Sequence, residues 1–286
     1  MSTATEKRFF CFRGFMKSGT NWIGNLLNLH PDVCCVGELH LHVLYQSMQK
    51  HMRTVPILVE GSDARRKFRG NFQGMVRHLL ADVADPAATV IGERTPHTLA
   101  PLAVKNVPHI TVIRDGRDVL ISRMFHLHNF PEVSRVFERF PELQANLAAF
   151  EKDQWYFRDN PDRLLCNEEM VRESMQWWRE HLESDRATMQ RHPYLQLLTL
   201  NYEDFHSDVD GSRRRMYEFL EVDSELAEPI PEHFQPGIDQ ERPNEFNRKG
   251  LIGDWKNYVT DESRDWINDE AGEELMRQGY VDSLDW

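Results

Sequence analysis

The sequence has no long apolar run. No stretch approaches the roughly 18 consecutive apolar residues that a membrane-spanning helix requires, and Met1 to Arg8 is polar and too short for a secretory signal. A cytoplasmic protein without membrane contact is therefore expected. Cysteine is scarce as well. Cys11, Cys34, Cys35 and Cys166 form no C-x-x-C pair and no zinc spacing. Adjacent Cys34 and Cys35 would bridge each other only with strain. This excludes a disulfide scaffold and leaves free, mostly buried thiols. Positive charge is in deficit: 34 Lys and Arg stand against 46 Asp and Glu, a formal net charge of −12. Such a chain is a poor general binder of nucleic acid or anionic membrane. An anionic ligand would need basic residues gathered in one place. There is also no internal repeat and no low-complexity segment.

What is present fits one large domain over residues 1–286. The chain is 40% hydrophobic and 28% charged, an ordinary globular composition. A β-prone run from Phe9 to Phe15 leads into the turn Lys17-Ser18-Gly19-Thr20. Trp22, Ile23, Leu26, Leu27 and Leu29 then make one apolar helical face, which His30-Pro31-Asp32 stops. Short strands are expected at Val33 to Val36, Thr89 to Gly92, His109 to Ile113 and Leu195 to Leu200. Helices are expected across 43–82 with a loop near Pro56 to Asp63, from Asp115 to about His128, from Gly211 to Leu220, and from about Glu262 to Gln278. Residues 126–192 are a helical insert, broken at Pro131, Pro141 and Pro161. Alternating strands and helices imply a parallel sheet with helices on both faces, and a ligand site at the carboxyl ends of the strands.

The turn after the first strand opens a helix, where unpaired amides and the helix dipole favour phosphate. The donors would be Ser18, Gly19, Thr20, Asn21 and Trp22, with Lys17 supplying a full charge. It is not the Walker A pattern. Gly14 and Gly19 have the spacing, but Thr20 stands where Lys is required. Taken alone the turn is also compatible with an ordinary strand-to-helix connection.

Four segments together resemble the sulfotransferase family. Met16-Lys17-Ser18-Gly19-Thr20-Asn21-Trp22 is similar to the P-K-[ST]-G-T-T-W phosphosulfate loop of the cytosolic members. The run from Ile113-Arg114-Asp115 to Ser122 resembles their 3′-phosphate segment, with Arg and Ser eight apart. Asn201-Tyr202-Glu203-Asp204-Phe205 resembles their Y-E-D segment, and Arg248-Lys249-Gly250-Leu251-Ile252-Gly253-Asp254-Trp255-Lys256-Asn257 their R-K-G-x-x-G-D-W-K-N motif. Residues 40–85 and 126–192 lie outside the likeness. The resemblance implies a P-loop-like three-layer α/β fold with a central parallel sheet flanked by helices. It implies 3′-phosphoadenosine 5′-phosphosulfate (PAPS) as donor, 3′-phosphoadenosine 5′-phosphate (PAP) as product, and no metal. Lys17 and the loop amides would hold the 5′-phosphate, and Lys17 would stabilise charge on the bridging oxygen as the S–O bond breaks. Arg114, Ser122, Arg248, Lys249 and the Gly250 amide would hold the 3′-phosphate. Trp22 and Tyr202 would contact the adenine end. Asn21 and Met16 depart from the usual Thr and Pro.

The acceptor hydroxyl needs a base. Relatives place a His in a K-T-H-L-P segment. Here the run is Arg94-Thr95-Pro96-His97, so His97 falls one residue late. The stretch His30 to Glu38 is similar to the segment preceding a base Glu in tyrosylprotein and related sulfotransferases, where a basic residue assists. Glu38 with Arg94 is therefore preferred, with His97 second and His40 or His42 behind it. Glu38, His40 and His42 alternate and would share one face of a strand.

Each residue also has an ordinary structural role open to it. Arg114 can pair with Asp118 along a helix, Trp255 can be core, and Glu203 and Asp204 can brace a loop. Phe125, Phe130, Phe137, Phe140, Phe150, Trp155, Tyr156 and Phe157 can be core or an acceptor pocket. Arg65-Arg66-Lys67 and Arg213-Arg214-Arg215 fit solvated helix faces. The acceptor expected is a small or medium organic alcohol or phenol. A kinase-like enzyme and a nucleotide-binding scaffold without turnover are the alternatives. The family's K-x-x-x-T-V-x-x-x-E dimer segment is altered, with Asp261 for Val and Asp265 for Glu beside Lys256 and Thr260. A monomer is expected, or a dimer that does not use that interface.

Overall fold

The computed structural model describes residues 7–99, 107–133, 135–235, 243 and 248–286. Contacts divide the chain into two compact units. One comprises Met1–Phe15, Gly19–Ile113 and Ser184–Phe234. The other comprises Met16–Ser18, Arg114–Glu183 and Gln235–Trp286.

The first unit holds the sheet. Its strands are β1 (Arg8–Gly14), β2 (Val33–Val36), β3 (Val90–Arg94), β4 (His109–Ile113) and β5 (Leu197–Asn201), in the order β2-β3-β1-β4-β5. Every pairing is parallel. Period-two alternation sends successive side chains to opposite faces. Phe10, Phe12, Val33, Cys35, Ile110, Val112 and Leu200 point to one face. There they pack on Ile23, Leu26 and Leu27 of α1 (Thr20–Leu27), and on Met216 and Tyr217, further along the chain. Phe9, Cys34, Val36 and Ile91 point to the other face. They meet Leu41 of α2 (Leu41–Thr54) and Leu80 of α3 (Asp63–Val83). Helices thus cover both faces of a parallel sheet, as the alternating pattern predicted. The short edge strand β2 is tied back by Asn28. Its Oδ1 accepts from the Cys35 amide at 2.6 Å and its Nδ2 donates to the Cys35 carbonyl at 3.1 Å, so the side chain stands in for a neighbouring strand.

The second unit is helical. It contains α4 (Gly116–Asn129), α5 (Val136–Arg139), α6 (Pro141–Lys152), α7 (Tyr156–Asp159), α8 (Glu168–Arg191) as far as Glu183, and, after two helices of the first unit, α9 (Tyr202–Ser207) and α10 (Val209–Phe219), the last helix α11 (Asp261–Arg277). Phe125, Phe137, Phe150 and Phe157 are all buried. Phe125 meets Phe150, Phe157 and Tyr258 edge-on at centroid distances of 6.2, 5.7 and 5.6 Å. These rings are core. The Arg213 to Arg215 run is not a uniformly solvated face: Arg213 is buried and donates to the Glu228 carbonyl at 2.7 Å and to Asp210 at 2.7 Å. No described helix is long and apolar enough to cross a membrane.

Candidate active site

The turn between β1 and α1 has alternating backbone hand. Lys17 has φ 65 and Gly19 φ 83, both left-handed, around Ser18. Alternation of this kind turns successive amides toward one side and makes an anion-binding concavity. Ser18 is fully buried, and its hydroxyl has no hydrogen-bond partner among the described residues. A buried, unsatisfied hydroxyl at the start of a helix is what a phosphate oxygen would complete. No side chain caps α1 at Gly19, so its first amides stay available.

In the first unit the turn is held by an aromatic lid and an arginine. A Cβ on Gly19 would stand 2.5 Å from the Tyr202 ring, so only glycine fits there. Trp22 meets Tyr202 at 5.6 Å and Phe205 at 5.8 Å, and its Nε1 donates to the Phe234 carbonyl at 2.8 Å. Arg94, at the end of β3, donates to the Asn21 carbonyl at 3.1 Å. It lies against α1 where Gly24 leaves space, since a Cβ there would be 2.7 Å from Arg94 Nη1.

In the second unit Arg114 donates to the Lys17 carbonyl and to the Leu251 carbonyl, each at 3.0 Å. One planar guanidinium thereby joins the Lys17 backbone to the segment that begins at Arg248. That segment is fixed from below by Asp118 of α4, whose two oxygens accept from the Gly253 amide at 2.7 Å and the Trp255 amide at 3.0 Å. Burial pushes the Asp118 carboxyl above its ordinary range, while the Arg114 charge and these two amides pull it back. Arg248 and Lys249 both pair with Asp254, Lys249 at 2.9 Å, and Arg248 lies 4.0 Å over the Phe125 ring. Trp178 packs on Gly116, where a Cβ would be 2.7 Å away, and its Nε1 donates to the Arg114 carbonyl at 3.2 Å.

Residues 12–279 match the family model of the Sulfotransferase domain. The chain belongs to the sulfotransferase family. Its fold is similar to that of retinol dehydratase, solved in complex with androsterone and the inactive cofactor PAP: the TM-score is 0.51 at 19% identity, over 95% of this chain and 82% of that one. The sulfotransferase domain from the curacin biosynthetic pathway gives a TM-score of 0.50 at 14% identity, over 94% and 98%. A mouse sulfotransferase complexed with PAP gives 0.48 at 16%, over 96% and 86%. At these identities the likeness is one of fold. No curated protein matches the sequence significantly.

Within this sulfotransferase the expected residues sort by unit. Gly19, Thr20, Asn21, Trp22, Tyr202, Arg94, Glu38 and His97 belong to the first; Lys17, Ser18, Arg114, Ser122, Arg248, Lys249 and Gly250 belong to the second. Asn247 lies outside the described residues. Tyr202 opens α9 directly after β5. Asp118 accepts the Gly253 and Trp255 amides and also feels the Arg114 charge. Trp255 is half-buried and lies 3.9 Å from the Arg117 guanidinium, which also stacks on Trp286 at 4.5 Å.

Glu38, His40 and His42, which would share one face if they lay on a strand, do not lie on one. Residues 37–40 are irregular, His40 takes the left-handed conformation at φ 50, and α2 starts at Leu41. Glu38 instead approaches His40, with Oε2 3.8 Å from Nε2. His42 stacks against His97 at a centroid distance of 4.3 Å. Burial lowers the His42 pKa to about 4, helped by the His97 and His40 charges. Glu38, His40, His42 and His97 are therefore neighbours in one unit, though two of the contacts run through the first turn of a helix.

His126 was missed. It lies on α4 one helical turn after Ser122, so both share a face. Its pKa is lowered to about 4, first by burial and then by the Lys17 charge. The four-residue spacing from Ser122 was the available signal.

Proposed function

We propose that this chain is a PAPS-dependent sulfotransferase acting on a small or medium organic alcohol or phenol. The observation supporting it most directly is the turn at residues 17–19, with its left-handed Lys17 and Gly19 and the buried, unpartnered Ser18 hydroxyl. A phosphate on the donor end fits such a donor set. Ser18, Gly19, Thr20, Asn21 and Trp22 would bind the 5′-phosphate with Lys17. Arg114, Ser122, Arg248, Lys249 and Gly250 would bind the 3′-phosphate, and Trp22 and Tyr202 the adenine end. Lys17 would neutralise the phosphate oxygen that departs as the bond from sulfur to the acceptor oxygen forms. Glu38 would take the acceptor proton, with Arg94 assisting and His97 as the second choice of base. His97 borders His42, which is held neutral near pH 7.

Calorimetric titration with PAP in the absence of magnesium tests the donor site. Tight binding is expected, weakened at least tenfold by Lys17→Ala and by Arg248→Ala. A ligand at about 100 times its dissociation constant adds roughly 2.7 kcal/mol of stability, so melting curves give an independent check. Binding of ATP with magnesium in place of PAP would overturn the reading. Glu38→Gln is expected to abolish transfer to a phenol acceptor while leaving PAP affinity unchanged, and His97→Gln to reduce transfer less.

A further inference from the structure

One stretch of the chain reverses the overall charge. Residues 50–69 hold six basic side chains, Lys50, Arg53, Arg65, Arg66, Lys67 and Arg69, against two acidic ones, Glu60 and Asp63. The local excess is +4 in a chain of net −12. The stretch covers the end of α2, the start of α3 and the turn between them. In that turn Leu58 is buried and packs with Met48 and Met52, while its neighbours Ile57 and Val59 face solvent. They are 71% and 60% exposed, the highest values for any large hydrophobic side chain among the described residues. Single exposed apolar residues are ordinary on a protein surface. Here two of them flank one anchored residue, so the core beneath holds both in place.

The basic groups are tied to the same turn. Arg65 Nη1 donates to the Leu58 carbonyl at 3.1 Å, and Arg66 Nη1 to the Gly61 carbonyl at 2.7 Å. Lys50 and Arg53 are exposed within about one helical turn of the end of α2, and Lys67 within about one of the start of α3. Asp63 is shared between Arg66 at 3.3 Å and Lys67 at 2.9 Å. Exposed pairs of this kind are weak, and they leave the turn positive. A second copy of the chain is a poor occupant, because like-charged turns repel. A nucleic-acid backbone would engage the cations alone. A layer of anionic headgroups over hydrocarbon takes both kinds of group at once.

We propose that the turn between α2 and α3 docks the protein on an anionic lipid surface. Ile57 and Val59 enter the boundary of the acyl chains, and Lys50, Arg53, Arg66 and Lys67 meet the headgroups. The rest of the chain is more acidic than the whole, so the same surface repels it and this turn leads the approach. The docking is peripheral. The 14 residues of α2 separate the turn from the Glu38–His40 segment at the other end of that helix, a length of about 20 Å. The proposal does not depend on the sulfotransferase chemistry.

The test is flotation of the full-length protein with vesicles of phosphatidylcholine alone and of phosphatidylcholine and phosphatidylserine in equal parts. The mixed vesicles are expected to bind at least about tenfold more tightly, and added salt to weaken the binding. Ile57→Ser with Val59→Ser removes the apolar pair and keeps the charge, and is expected to cost about tenfold in vesicle affinity. Arg53→Gln with Lys67→Gln keeps the apolar pair and is expected to cost about fivefold for each charge removed. All four side chains are exposed, so the melting temperature and PAP affinity of both variants are expected to match those of the parent protein. Equal binding to the two kinds of vesicle would overturn the proposal. So would mixed-vesicle binding untouched by the serine pair. Binding to soluble polyglutamate with none to vesicles would assign the turn to an acidic protein and overturn it as well. A chain that docks on mixed vesicles but fails to bind PAP refutes the donor-site reading and leaves this one intact.

Discussion

Gly19 shows how narrowly one residue can be specified. Its φ of 83 disfavours any L side chain by about 1–2 kcal/mol, and the Tyr202 ring occupies the place of a Cβ. Gly19→Ala is expected to lower the melting temperature and weaken PAP binding at least tenfold. Gly61 is the control: its φ is 78, but nothing lies within 4 Å of an added Cβ. Gly61→Ala should show the backbone cost alone, with PAP affinity intact. Asp118 is the second such residue. Its oxygens receive two amides, and an Asn offers only one acceptor. Asp118→Asn is expected to cost roughly 1–3 kcal/mol in denaturant unfolding, the cost of one unmade buried bond. It should also weaken PAP binding, because Arg248 to Gly250 lie in the same segment. Residues of this kind were legible where they sit in ordered motifs. The buried ion pair of Arg13 and Glu93, 2.8 Å apart, was not. Its members are 80 residues apart and meet only because β1 and β3 are neighbours in the sheet.

Elements were legible wherever periodicity was strong. The strand His109–Ile113 was predicted with its observed ends, and the helices around it lie within about two residues of expectation. Alternation alone does not make a strand. Glu38, His40 and His42 alternate in sequence, but His40 turns left-handed and starts a helix, a choice that side-chain spacing does not encode. The altered dimer segment has a local explanation of its own. Thr260 caps α11, accepting from the Ser263 amide at 3.2 Å, and Asp261 stands in the first turn. A carboxylate there is favoured by the helix dipole by about 0.3–1 kcal/mol, and its side chain is 94% exposed. Sedimentation is expected to show no dimer that Asp261→Arg can break. The same substitution should cost a few tenths of a kcal/mol in stability.

For the molecule as a whole, three imidazoles contribute to the response to acid. Burial lowers His42, His126 and His128 to about 4 from an ordinary 6.5. Their native forms stay neutral where the unfolded chain takes protons. Stability is therefore whole above pH 6.5, falls as pH drops from 6.5 toward 4, and flattens below that for these groups. Melting temperature against pH is expected to show this decline, and His128→Gln to make it shallower. The strand order has a consequence for the chain's history as well as its stability. β1 is central, yet its neighbours β3 and β4 begin at Val90 and His109. Strand β1 has no partner until about eighty further residues have been synthesised, and β5 adds only at Leu197. During translation the apolar run Phe9 to Phe12 must wait unpaired outside the ribosome. Closing loops of that length is slow. Early ribosome-bound chains are therefore the form of this protein most exposed to chaperones and to aggregation.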